Sequence, residues 1–134
     1  MSATEPKPIL LEVGPGELID KITILQIKSE RMTDAVKLKN VRYELAVLEK
    51  AQHENMPDTA ELRQLEADLK AVNESLWVIE DDIRDCEGQK NFGPKFIELA
   101  RAVYITNDKR ATIKKDINVL TGSTIIEEKS YKEF

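Results

Sequence analysis

Glycine and proline are confined to a few places in this chain. All ten of them are Pro6, Pro8, Gly14, Pro15, Gly16, Pro57, Gly88, Gly93, Pro94 and Gly122. Between them run three long stretches, 17–56, 58–87 and 95–121, in which no residue breaks a helix. Each stretch is dominated by good helix formers. A chain punctuated in this way is constrained to long helices joined by short turns. The expected fold is therefore all-α, an antiparallel helical bundle in a single domain spanning 1–134, with a long helical hairpin among about four helices. Its parts are an N-terminal arm (1–15), helices 1 and 2 within 17–56, helix 3 at 58–87, helix 4 at 94–121 and a C-terminal arm (122–134).

The periodicity within the stretches supports that division. In the middle one, Leu62, Leu65, Leu69, Val72, Leu76, Ile79, Ile83 and Cys86 follow a 3-4 spacing without a miss, which is a coiled-coil-like seam. Asp58 and Glu61 at its start form a capping pattern, and Gly88 marks its end. The first stretch divides at Thr33-Asp34, a cap pair for a second helix whose seam is Leu38, Val41, Leu45 and Leu48; a kinked continuous helix is the alternative. Before that point, Leu18, Ile19, Ile22, Ile24, Leu25 and Ile27 surround the helix, as in one buried on several sides. Pro94 is suited to the first turn of the last helix. The β-prone pieces Ile9–Val13 and Thr124–Glu127 could pair and bring the termini together.

Only residues 89–93 separate helices 3 and 4, so these are antiparallel neighbours in which positions summing to about 181 face each other. That register sets Trp77 near Tyr104, Glu80 near Arg101 and Glu66 near Lys115. The charges agree with it, since residues 58–87 carry 10 acids and 3 bases while 95–116 carry 6 bases and 3 acids. The overall charge of -5 hides that division, and with 34% charged residues it argues against a general nucleic-acid footprint. The set Lys109, Arg110, Lys114 and Lys115 is too short, and too poor in aromatics, to serve as one. A single cysteine gives no disulfide framework, and no apolar run is long enough for a membrane span or a signal peptide. A cytoplasmic protein with no membrane attachment is expected.

The residues most suggestive of a site interrupt apolar faces. In the last helix Thr106, Asn107 and Arg110 stand where the rows through Phe96, Leu99 and Val103 and through Ile97, Ala100 and Tyr104 call for apolar side chains. A buried polar group without a partner costs about 1–3 kcal/mol, so partners are expected on the first helix, where Asp20 and Lys21 sit among isoleucines. Two readings follow: a hydrogen-bonded layer that fixes helix register, or a pocket for a small anion held by Arg110 and Lys21. The ligand-binding candidates are Glu17, Asp20, Lys21, Tyr104, Asn107 and Arg110. Asp81, Asp82 and Asp85 form a D-D-x-x-D run that could hold Mg²⁺, but Arg84 lies inside it as a counter-ion. His53 is the only histidine, and Cys86 lies on the seam as a small core residue.

Two strings stand out, Gly16–Leu25 (GELIDKITIL) and Phe92–Tyr104 (FGPKFIELARAVY) followed by Asn107–Arg110 (NDKR). With Trp77, Ile79–Arg84 and Glu127–Tyr131, they resemble a family of small bacterial proteins of unknown function over nearly the full length. The resemblance implies no reaction. It implies a loose link with surface-glycan biosynthesis genes, including those of glycosyltransferases, and it marks the same polar residues: Glu17, Asp20 and Lys21 in one string, Tyr104, Asn107, Asp108 and Arg110 in the other.

These observations favour a non-enzymatic interaction or scaffold protein, without a cofactor, that forms a homodimer through its helical seams and binds a protein partner. The alternative is a small all-α enzyme or metabolite-binding bundle acting on an anionic substrate. It would resemble a chorismate mutase or an Mg²⁺-dependent nucleotide pyrophosphohydrolase.

Overall fold

The computed structural model describes residues 6–134 and contains four helices in an all-α arrangement: α1 (Pro15–Arg31), α2 (Ala35–Asn55), α3 (Ala60–Gly88) and α4 (Pro94–Leu120). The first long stretch is two helices. Met32 and Asp34 are extended, and the Asp34 carboxylate accepts a hydrogen bond from the Lys37 backbone N–H at 2.9 Å, which starts α2 as an independent element. At the head of α3 the cap is Thr59 rather than Asp58. The Thr59 hydroxyl accepts from the Leu62 N–H at 3.2 Å, while Asp58 binds the Arg63 guanidinium instead.

Both ends of the hairpin close in the same way. In α4 the Ser123 N–H donates to the Asn118 carbonyl at 2.9 Å and Gly122 takes a φ of 70°, the left-handed closure that suits glycine. In α3 the Asn91 N–H donates to the Cys86 carbonyl at 2.8 Å, but the left-handed residue is Lys90, with φ 53°. Gly88 is the last helical residue, two positions short of where its freedom would be used.

α1 is the centre of the assembly. It packs on α2, α3 and α4, whereas α2 packs along α1 and meets α3 only through side chains near its C-terminal end, as at Gln52 and Glu66, which accounts for the apolar residues all around α1. Ile19 meets Leu62, Leu69 and Ile117 in the core, with Met56, Leu65 and Ile113 against it. Because α1 has 17 residues and the hairpin helices have 29 and 27, the hairpin projects well past α1 at about 1.5 Å per residue.

The hairpin register agrees with the expected one: Val72 and Asp108 line one groove, and Trp77 and Val103 another. The expected ion pairs across it do not form. Glu80 accepts from Arg84 at 2.7 Å within α3, Glu66 accepts from Gln52 of α2 at 3.1 Å, and Lys115 lies 3.6 Å from Glu128. Exposed charges on the flanks of a hairpin reach an i,i+4 neighbour at lower entropic cost than a residue across the groove.

No strand forms among the described residues. Ile9, Leu10 and Leu11 are 86%, 89% and 78% exposed, and two short segments with no third layer bury too little to hold a ladder. The terminal segments do meet, at one point beside Gly14, where a Cβ would stand 3.2 Å from the Ile125 carbonyl. From there the C-terminal arm returns along α4, held by Glu127 on Lys114 at 3.0 Å and by an edge-on contact of Phe134 with Tyr104 at 5.4 Å.

Candidate functional site

The polar residues of α1 and α4 come together because α1 starts in close contact with the α4 backbone. The Gly16 N–H donates to the Asn118 side-chain oxygen at 2.8 Å. A Cβ on Gly16 would lie only 2.4 Å from the Lys114 carbonyl oxygen, so no larger residue permits this approach. One helical turn further on, Asp20 enters the core with 1% of its surface exposed.

Every face of that carboxylate is met. Its Oδ1 accepts from Asn73 Nδ2 and from Arg110 Nε, both at 2.9 Å, and its Oδ2 accepts from Arg110 Nη2. Lys114 Nζ lies 3.8 Å from Oδ2 and donates to Glu17 at 2.8 Å and to Glu127 at 3.0 Å. Thr23 completes the layer. Its hydroxyl donates to the Asp20 carbonyl at 2.9 Å and accepts from Asn73 Nδ2 at 3.0 Å. Asp20 is thus bound simultaneously by α3 and α4, and the bidentate fork of Arg110 fixes the angle as well as the distance.

The electrostatics follow from that geometry. Burial works to raise the Asp20 pKa, but the hydrogen bonds from Arg110 and Asn73 and the charges of Arg110 and Lys114 outweigh it and hold the carboxyl below its ordinary range. The hydrogen bond to Asp20 raises Arg110 against a smaller opposing effect of burial. Burial works to lower Lys114, yet its bonds to Glu17 and Glu127 and the charge of Asp20 leave it raised. All three groups are locked in their charged forms, which makes the cluster a strong fastening and a poor proton donor or acceptor near neutral pH.

Of the candidate residues, Glu17, Asp20 and Arg110 converge. Lys21 does not join them; it is exposed, 3.7 Å from Glu17, and Lys114 is the second cation at Asp20. Asn107 lies half-buried beside Arg110 and lines two cavities with it. Tyr104 is 46% exposed and packs on Phe134. Asp81, Asp82 and Asp85 lie on the projecting half of α3, and no three His, Cys, Asp or Glu side chains among the described residues are grouped as metal ligands.

Asn73, Lys114 and Asn118 also belong to the cluster, although they were not among the candidate residues. A signal existed for Lys114, which follows Arg110 by four residues and therefore shares its face. Asn73 follows Leu69 by four in the same way, but a polar residue beside an apolar seam looks like one turned to water.

The family of unknown function DUF6165 matches residues 9–133 of the chain. No curated protein and no solved structure matches it.

Proposed function

Because the chain belongs to DUF6165, a family of unknown function, we propose from its geometry that it is a self-associating helical interaction protein whose hairpin pairs with that of a second copy. The observation that carries this reading is surface area. The chain exposes 10017 Å², whereas a compact monomer of 15.3 kDa exposes about 7,100 Å². The exposed terminal arms, the projecting hairpin and α2 all contribute to that excess. The excess, on the order of 2,900 Å², exceeds the roughly 1,000–2,500 Å² that each partner buries in an obligate homodimer.

The face that suits a second copy is an open groove of about 570 Å³ lined by α3 and α4 alone. Ala71, Val72 and Ile113 give it an apolar floor, and Asp68, Asp108 and Lys109 give it charges of both signs. A two-fold contact joins a patch to itself, so it favours a patch that carries its own complement: Lys109 of one copy can meet Asp68 or Asp108 of the other. The small, exposed Ala71 lets a helix approach closely.

Ala71→Glu places a like charge on both sides of that contact without disturbing the monomer. By light scattering after size exclusion, the variant runs at half the mass of the parent while its helical circular dichroism is unchanged. A variant that keeps the parent mass removes this face from the interface. The wider reading is a cytoplasmic scaffold for a protein partner, accessory to bacterial surface-glycan biosynthesis. Its support is the resemblance of the GELIDKITIL and FGPKFIELARAVY strings.

A further inference from the structure

Beyond the Asp20 cluster, on the side of Arg110 that faces α3, lies a cavity of about 300 Å³ between α1, α3 and α4. Its lining includes Trp77 and Leu76 as an apolar wall and Asn73, Asn107, Arg110 and Glu80 as polar groups. A second cavity of about 420 Å³ shares Asn107 and Arg110 and continues toward Tyr104 and Tyr131. Unspent hydrogen-bonding capacity distinguishes the first cavity. Asn107 and the Trp77 indole N–H make no side-chain hydrogen bond to the described residues. The Asn73 oxygen and Arg110 Nη1 also bond to none of the described residues, while Asn73 Nδ2 and Arg110 Nε and Nη2 are taken up by Asp20 and Thr23. None of these atoms is a sealed, unsatisfied group, so they are open to solvent and to a ligand that takes its place.

We infer that this cleft binds an uncharged saccharide ring, with one face on the Trp77 indole and its hydroxyls on Asn73, Asn107 and Arg110. Three properties select that chemistry. Both donors and acceptors are present in the otherwise apolar cleft, on the amides of Asn73 and Asn107, the Arg110 guanidinium and the Glu80 carboxylate, and a hydroxyl, which both donates and accepts, can use either. The indole presents a negative face to the weakly positive C–H bonds of a sugar ring. Charge disfavours the anionic alternative: Arg110 is paired with Asp20 and Glu80 with Arg84, so among the described residues lining this cavity a phosphate or carboxylate would find no unpaired cation to offset its desolvation, Lys129 lining only the second cavity. The volume stands at the low end of the roughly 300–1,000 Å³ usual for ligand sites, which fits one ring rather than a nucleotide. The inference rests on the cleft and is independent of self-association.

Trp77 is the only tryptophan, so its fluorescence reports on this site alone. The full-length protein is titrated with methyl α-glucoside, methyl β-galactoside and N-acetylglucosamine, and in parallel with pyrophosphate, malate and uridine. At least one saccharide gives a saturable change in the millimolar range, and the three comparators give none. Asn107→Ala, which breaks no hydrogen bond within the described chain, abolishes the change while leaving the melting temperature in place. Ala71→Glu retains it, which separates this site from the paired hairpins. A flat response to all three saccharides overturns the assignment, as does a stronger response to any comparator or a titration unaltered in Asn107→Ala.

Discussion

At the residue scale the molecule depends on one buried carboxylate. Asp20 cannot be solvated where it lies, so the groups around it are obligatory, and removing one leaves a buried charge without its counterpart. Breaking such a pair costs about 3–5 kcal/mol. For Arg110→Ala the lower end, about 3 kcal/mol, is expected in urea unfolding, because Lys114 remains 3.8 Å from the carboxylate. A loss below about 1 kcal/mol, the worth of an exposed pair, would show that the cluster is not the fastening described. Arg110→Lys recovers only part of the loss, since an ammonium cannot bind both carboxylate oxygens as the guanidinium does.

The same residues set the response to pH. Asp20 is held below its ordinary range, so its contribution is complete above the unfolded value of about 3.9 and is lost as pH falls through the lower folded value. Lys114 is raised, so its contribution is complete below the unfolded value of about 10.4 and is lost as pH rises through the folded one. The urea midpoint should therefore be level between these limits, and the gap between parent and Asp20→Asn should narrow as the solution is acidified. A gap that widens on acidification contradicts the assignment of charge. Asp20 and Arg110 were legible in the sequence as polar breaks in apolar faces. The choice of Lys114 over Lys21, and the arrival of Asn73, were not, because they depend on how α1 crosses the hairpin. That crossing is set by the backbone contact at Gly16 and is not recorded in any helix period.

At the element scale, local chemistry was nearly sufficient. The division of the first long stretch at Asp34, the start of α4 at Pro94 and its end at Gly122 all follow from caps and breakers that act within a few residues. Local chemistry failed where a piece needs a partner. Ile9–Val13 and Thr124–Glu127 have the composition of strands, but composition cannot supply the layer on which a strand lies. The α3 closure shows a smaller mismatch, because glycine stands at position 88 while the left-handed residue is Lys90. An L-residue in that conformation costs about 1–2 kcal/mol. Lys90→Gly should therefore raise the unfolding midpoint, offset in part by the greater freedom of glycine in the unfolded chain. A lowered thermal midpoint would show that the Lys90 side chain contributes more than its backbone costs.

At the scale of the whole molecule, the helices do not enclose one another. α1 has a neighbour on three sides, α2 lies along α1 and touches α3 only near its C-terminal end, and the outer half of the hairpin extends beyond both. An arrangement of this kind exposes much more surface than its mass requires, and apolar helix surface in excess is a surface for association. In the proposed pairing of hairpins, a second copy would cover it and bring the complementary charges at Lys109, Asp68 and Asp108. Sedimentation equilibrium of the full-length protein at micromolar concentration tests this most directly. Twice the chain mass of 15.3 kDa is expected, falling to the single mass in Ala71→Glu. A parent chain that sediments at 15.3 kDa throughout that range would rule out the pairing of hairpins.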